Sequence, residues 1–149
     1  MARIALAVAA VLAITYAVAF LIYGGFAAII GLEPPAGVSP ATFLLSVLVV
    51  KLGLAVGFVL LFSVAQDSWR GRWILYAFVW WVTFAITEVG QAIGPNYSWV
   101  EATAGMTAEA VYCPLAALVT ARLLGPRVVS AAPVQHGVSS GQGPVSGRG

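Results

Sequence analysis

Residues 4–31 read IALAVAAVLAITYAVAFLIYGGFAAIIG, an apolar run without a single Asp, Glu, Lys or Arg. About 20 such residues, at about 1.5 Å rise each, are enough to cross the hydrocarbon core of a bilayer as a helix. The run far exceeds the roughly 7–15 apolar residues of a signal-peptide core. Arg3 ahead of it therefore reads as the flank of a retained helix.

Three further segments repeat the pattern. The second spans about 41–65 and contains Lys51, the third about 73–94 with Glu88, and the fourth about 99–124 with Glu109 in its interior. The links are short and full of breakers. Ser39-Pro40 fits an N-cap followed by a first-turn proline. Residues 66–72 are polar, Gly94-Pro95-Asn96 stops the third helix, and Ser98-Trp99-Val100-Glu101 fits a capping box. Short links make successive helices antiparallel neighbours.

The whole chain agrees with these segments. Of 149 residues 61% are hydrophobic and 8% charged, against about 25% charged in a soluble domain. That excludes a soluble fold and, for most of the chain, disorder. Seven Lys and Arg face five Asp and Glu, with no basic stripe, so nucleic acid is not a partner. The expected fold is an all-α integral membrane protein. Residues 1–125 form a four-transmembrane-helix up-down antiparallel bundle, and the Gly/Ser/Pro-rich residues 126–149 form a disordered cytoplasmic tail.

Six of the seven basic residues (Arg3, Arg70, Arg72, Arg122, Arg127 and Arg148) fall on one side of this topology, and Glu33 and Glu101 on the other. By the positive-inside rule both termini are cytoplasmic and the protein sits in the plasma membrane. Trp69, Trp73, Tyr97 and Trp99 fall at helix ends, as an interfacial aromatic belt would. The preference for Arg over Lys, with abundant Ala, Val and Gly, points to a GC-rich bacterium.

Several chemistries are missing. One cysteine, Cys113, and one histidine, His136, leave no disulfide framework, no Cys-x-x-Cys pair, no bis-histidine haem and no His-containing nucleophile pair. Neither a phosphate loop nor a dinucleotide fingerprint occurs. No cofactor and no metal are expected.

What remains are three charges inside spans, each costing roughly 2.5–3.5 kcal/mol at mid-bilayer. Lys51 and Glu109 each lie ten residues from the same side, and Glu88 six, giving depths of about 15, 15 and 9 Å. A lysine stem spans the difference. At about 100° per residue, Thr83, Thr87, Glu88 and Gln91 share one half of the third helix. Gly105, Glu109, Cys113, Ala116 and Thr120 form a narrow stripe on the fourth. Such polar stripes are expected to face the bundle interior. Pro114 leaves the Ala110 carbonyl without its helical donor, one residue from Glu109. The candidate polar site is thus Lys51, Glu88, Glu109, Gln91 and Thr87, supported by Ala110, Cys113 and Pro114. Gly53-x-x-x-Gly57 and Gly90-x-x-x-Gly94 are expected to pack helices within the chain.

Full ionisation of one lysine and two glutamates leaves a buried charge of minus one, relieved by holding a proton or taking up a cation. The expected function is proton- or cation-coupled transport or channel-like activity, in a homo-oligomer because four helices are few for a pathway. The alternative is a non-enzymatic accessory or assembly subunit of a membrane complex, its charges fixing helix register and a membrane protein its partner. Less favoured is a membrane-embedded lipid or isoprenoid enzyme using the two carboxyls as acid and base.

Overall fold

The run that opened the sequence folds as one helix, α1 (Ala2–Ile30). Gly31 ends it in the left-handed region (φ 72°, ψ 33°), its N–H reaching the Ala27 carbonyl at 3.1 Å. Glycine adopts that conformation without the penalty a Cβ would bring. The computed structural model describes residues 1–32, 37, 39–69, 71–95 and 97–125. The expected positions of Glu33, Arg70 and Asn96, and the tail 126–149 expected to be disordered, lie outside the described residues.

Four helices follow: α2 (Pro40–Val64), α3 (Gln66–Trp69), α4 (Trp73–Ala92) and α5 (Trp99–Leu124). Among the described residues the protein is all-helical. α1, α2, α4 and α5 are each long and apolar enough to cross a membrane. The caps are those the local chemistry dictates. Ser39 Oγ accepts from the Thr42 N–H at 3.2 Å with Pro40 in the first turn. At α5 the Ser98 hydroxyl accepts from the Glu101 N–H at 3.2 Å. The Glu101 carboxylate accepts from the Ser98 N–H at 2.6 Å, closing the capping box. α3 falls where the sequence shows only a polar link; a single turn is too short to display any period.

α5 is the centre of the bundle. α1 and α4 pack along it, while α2 lies against α1 and meets α5 only briefly. The reason is side-chain size. Ala102, Ala104, Gly105, Ala108, Ala116 and Ala117 of α5 are buried and admit neighbouring backbones closely. α1 meets them with Ala7, Val11, Thr15 and Ala19, a buried row four residues apart.

The two ends differ. At the Trp69 end, Gln66 Nε2 donates to the Leu124 carbonyl at 2.7 Å, taking up a C-terminal acceptor of α5. Above it runs an aromatic layer. Tyr76 has Phe58, Phe62 and Trp69 at centroid distances of 4.8, 5.0 and 5.1 Å. Trp80 continues the layer to Phe84 at 5.2 Å, and Phe84 reaches Tyr112 at 6.4 Å. The Tyr76 hydroxyl donates to the Phe58 carbonyl. At the opposite end α2 is bare, with Leu44, Leu45, Leu48, Val49 and Val50 all exposed.

The glycine pairs do not pack helices within the chain. A Cβ at Gly53, Gly57 or Gly90 would meet nothing within 4 Å, and at Gly94 only the Gln91 carbonyl of the preceding turn. Close approach in this bundle is achieved by the alanines of α5 instead, which leaves the Gly53 and Gly57 face turned outward.

Candidate functional site: a carboxyl pair at the α4–α5 contact

Gly105, Glu109, Cys113, Ala116 and Thr120 are all buried, so this stripe is the inner face of α5. Glu109 is only 5% exposed. From α4, Glu88 reaches across to α5 at Gly105. A Cβ at Gly105 would lie 2.5 Å from Glu88 Cδ and 2.6 and 2.7 Å from its two carboxylate oxygens. The Glu88 carboxylate therefore occupies the space that any side chain at 105 would take. One turn further on along α5 stands Glu109, the neighbouring carboxyl to Glu88. Its Oε2 is shielded and, among the described residues, has no hydrogen-bond partner. A buried acceptor left this way carries its desolvation penalty uncompensated, and far more so if charged.

Lys51 does not repay that cost by contact. Its ammonium lies 3.5 Å from the Tyr112 hydroxyl and 4.8 Å from the centroid of the Tyr112 ring, a hydrogen bond and a cation–π contact on one residue. Tyr112 is three residues along α5 from Glu109, so the lysine is engaged about one turn from the buried carboxyl.

A tyrosine chain reaches the pair from the other side. In the α4–α5 link, the Tyr97 hydroxyl donates to Glu88 Oε2 at 2.6 Å. The Tyr23 hydroxyl of α1 lies 3.3 Å from that of Tyr97. Tyr97 has one proton and gives it to Glu88, so in this arrangement Tyr23 is the donor to Tyr97. Burial, reinforced by the hydrogen bonds to Glu88 and Tyr23, raises the Tyr97 phenol well above its ordinary value and keeps it protonated.

The residues expected from sequence divide clearly. Glu88 and Glu109 meet, and Lys51 approaches them through Tyr112. Cys113 is a buried free thiol one turn beyond Glu109. Thr87 and Gln91 are exposed. An interior position is not required of the threonines, because each satisfies its hydroxyl on its own helix: Thr83 on the Val79 carbonyl at 2.8 Å, Thr87 on the Thr83 carbonyl at 3.0 Å. Gln91 sits in the last turn of α4, at its polar end. Ala110 is exposed, on the other side of α5 from the pair, and Pro114 lies inside the helix half-buried. Among the described residues no group of three or more His, Cys, Asp or Glu gathers to hold a metal ion.

Tyr97, Tyr23 and Tyr112 are additions to the site expected from sequence, where Tyr97 reads as a belt aromatic only. The available signal is its place in a short link beside a helix carrying a buried carboxylate, where a returning chain covers the preceding turn. No family model matches the chain, and neither a curated protein nor a solved structure does.

Proposed function

We propose that this chain is a small proton-coupled transport protein of the bacterial plasma membrane, working as a homo-oligomer. Its four long helices cross the membrane as an up-down antiparallel bundle. The Trp69 end, flanked by Arg72 and Arg122, lies on the cytoplasmic side together with both ends of the helical domain, and the Tyr97 end lies on the outer side. The Glu88–Glu109 pair carries one exchangeable proton. Lys51 supplies a positive charge at a distance from the pair.

The observation that carries this reading is the unpartnered Glu109 oxygen, buried beside a second carboxyl while Lys51 is engaged by Tyr112. Two carboxyls in contact within a low-dielectric interior are relieved by a shared proton, as like charges that close do not both ionise. A purely structural role favours the opposite geometry, with the lysine paired directly to a carboxylate and every polar atom satisfied. The outward Gly53 and Gly57 of α2 offer the surface on which a second helix approaches closely, as an oligomer requires.

Proton flux into proteoliposomes under an imposed membrane potential, read with an enclosed pH dye, tests the proposal. Wild-type protein is expected to conduct or exchange protons, and Glu88→Gln and Glu109→Gln to lose that activity. Flux unchanged in both variants overturns it. The same bare face of α2 also favours a second reading, an accessory subunit of a larger complex. A constant partner protein co-purifying in mild detergent, with no flux from the isolated chain, would select that reading.

A further inference from the structure

The proton-coupled reading leaves open how a proton reaches a pair buried between α4 and α5. Three half-buried groups lead to one buried carboxyl. Tyr23, Tyr97 and Glu88 are half-buried and Glu109 is buried. Three of these residues form a chain of oxygens, 3.3 Å from Tyr23 to Tyr97 and 2.6 Å from Tyr97 to Glu88, and Glu109 is the carboxyl beside Glu88.

Among the described residues the other direction shows no such hydrogen-bonded line. Beyond Glu109 come the Tyr112 ring and then Phe84, Trp80, Phe58 and Tyr76, packed edge to face or tilted. Tyr76 carries the one hydroxyl among these last four residues, and its proton is committed to the Phe58 carbonyl. A backbone carbonyl accepts a hydrogen bond but passes no proton onward. The Tyr112 hydroxyl faces Lys51, not the aromatic layer.

We infer that Tyr97 is the proton port of the site. Its hydroxyl connects the Glu88–Glu109 pair to the Tyr97 end of the protein, while the aromatic layer closes the pair from the Trp69 end. The inference rests on the proton-coupled reading above. The transfer balances at each atom. Tyr97 gives its proton to Glu88 Oε2 as its own oxygen receives one from Tyr23, which is recharged by solvent. The phenol ends neutral, and the pair gains one proton. Release runs the same chain in reverse, with protonated Glu88 donating to Tyr97 and Tyr97 to Tyr23.

The groups that face the pair are Tyr23 of α1, Lys51 of α2, Tyr97 of the link, and Tyr112 and Cys113 of α5. Among the described residues only Tyr97 is hydrogen-bonded to a carboxylate oxygen of the pair. Removing its hydroxyl leaves both carboxyls in place and interrupts the line at one atom. Gly105→Ala interrupts it differently, because the new methyl displaces the Glu88 carboxyl from under Tyr97.

The test is infrared spectroscopy of the full chain in lipid nanodiscs. The protonated-carboxyl stretch is assigned by its loss in Glu88→Gln and Glu109→Gln, and its deuterium shift is timed after a jump into heavy water. Tyr97→Phe is expected to keep the band and slow its exchange by about a hundred-fold, the scale of a lost positioned proton-transfer group. Tyr97→His, which can relay a proton, is expected to recover most of the rate. Gly105→Ala, with Tyr97 intact, should slow exchange as well and serves if Tyr97→Phe does not fold. A band that exchanges at the wild-type rate in both Tyr97→Phe and Gly105→Ala overturns the port and leaves the shared proton standing. A wild-type protein with no such band overturns the shared proton and the port together.

Discussion

The two ends of this bundle each bury a tyrosine hydroxyl against a neighbouring element, and they use it in opposite ways. At the Trp69 end, Tyr76 donates to a backbone carbonyl and is walled in by Phe58, Phe62, Trp69 and Trp80. At the Tyr97 end, Tyr97 donates to a carboxylate and accepts from a second tyrosine. The first bond joins α4 to α2. The second joins a link to a group able to take up and return a proton. A buried hydroxyl is therefore not a functional sign in itself; what it donates to decides.

The comparison is broken most severely at the carboxyls. Glu109→Gln removes the unpartnered oxygen and supplies an amide that can donate to Glu88, so proton flux is expected to disappear while the protein becomes, if anything, more stable to heat in detergent. Loss of both flux and folding would mean that the charge itself holds the helices. Gly105→Ala comes next. The obstructing atoms are the tip of a flexible side chain, so the helices need not move apart. Flux is expected to fall sharply with the thermal midpoint almost unchanged.

Tyr76→Phe acts on the other end and should do the reverse. It removes one buried hydrogen bond, costing about 1 kcal/mol of stability, with flux through the Tyr97 end unaltered. A flux defect in Tyr76→Phe equal to that of Tyr97→Phe would erase the distinction between the ends. Gln66→Ala is milder. The Leu124 carbonyl, one of the last acceptors of α5, loses its side-chain donor, and fraying at that end is expected as faster amide exchange over residues 121–124. The smallest effect belongs to Thr87→Val and Gln91→Leu. Both residues are exposed, and neither substitution should change proton flux or the thermal midpoint.

Much of the fold is legible in the sequence. The uncharged run in α1, Ser39-Pro40 at the start of α2 and the Ser98–Glu101 box are local features, and local physics decides them. The inner face of α5 is also readable, because Gly105, Glu109 and Cys113 recur every fourth residue. What fails are the inferences from helix phase to neighbour. Gly53 and Gly57 share a face of α2, but nothing in their spacing says whether a partner helix stands there. Thr87 and Gln91 share a face with Glu88, yet a threonine that bonds its own backbone needs no interior. The Lys51–Glu relation follows from depth alone in the sequence, and depth does not register that Tyr112 engages the lysine. Tyr97 lies nine residues from Glu88 along the chain, across a reversal of direction whose geometry no periodicity encodes.

Gly105 and Glu88 together fill one cell of the interior: a side chain absent from α5 is made good by one from α4. The two positions thus share a single volume. Bulk added at 105 pushes the tip of Glu88 aside unless length is given up at 88. Gly105→Ala combined with Glu88→Asp is the exchange that conserves the filling while withdrawing the carboxyl toward its own helix. Every change at this contact therefore also changes how far the carboxyl reaches.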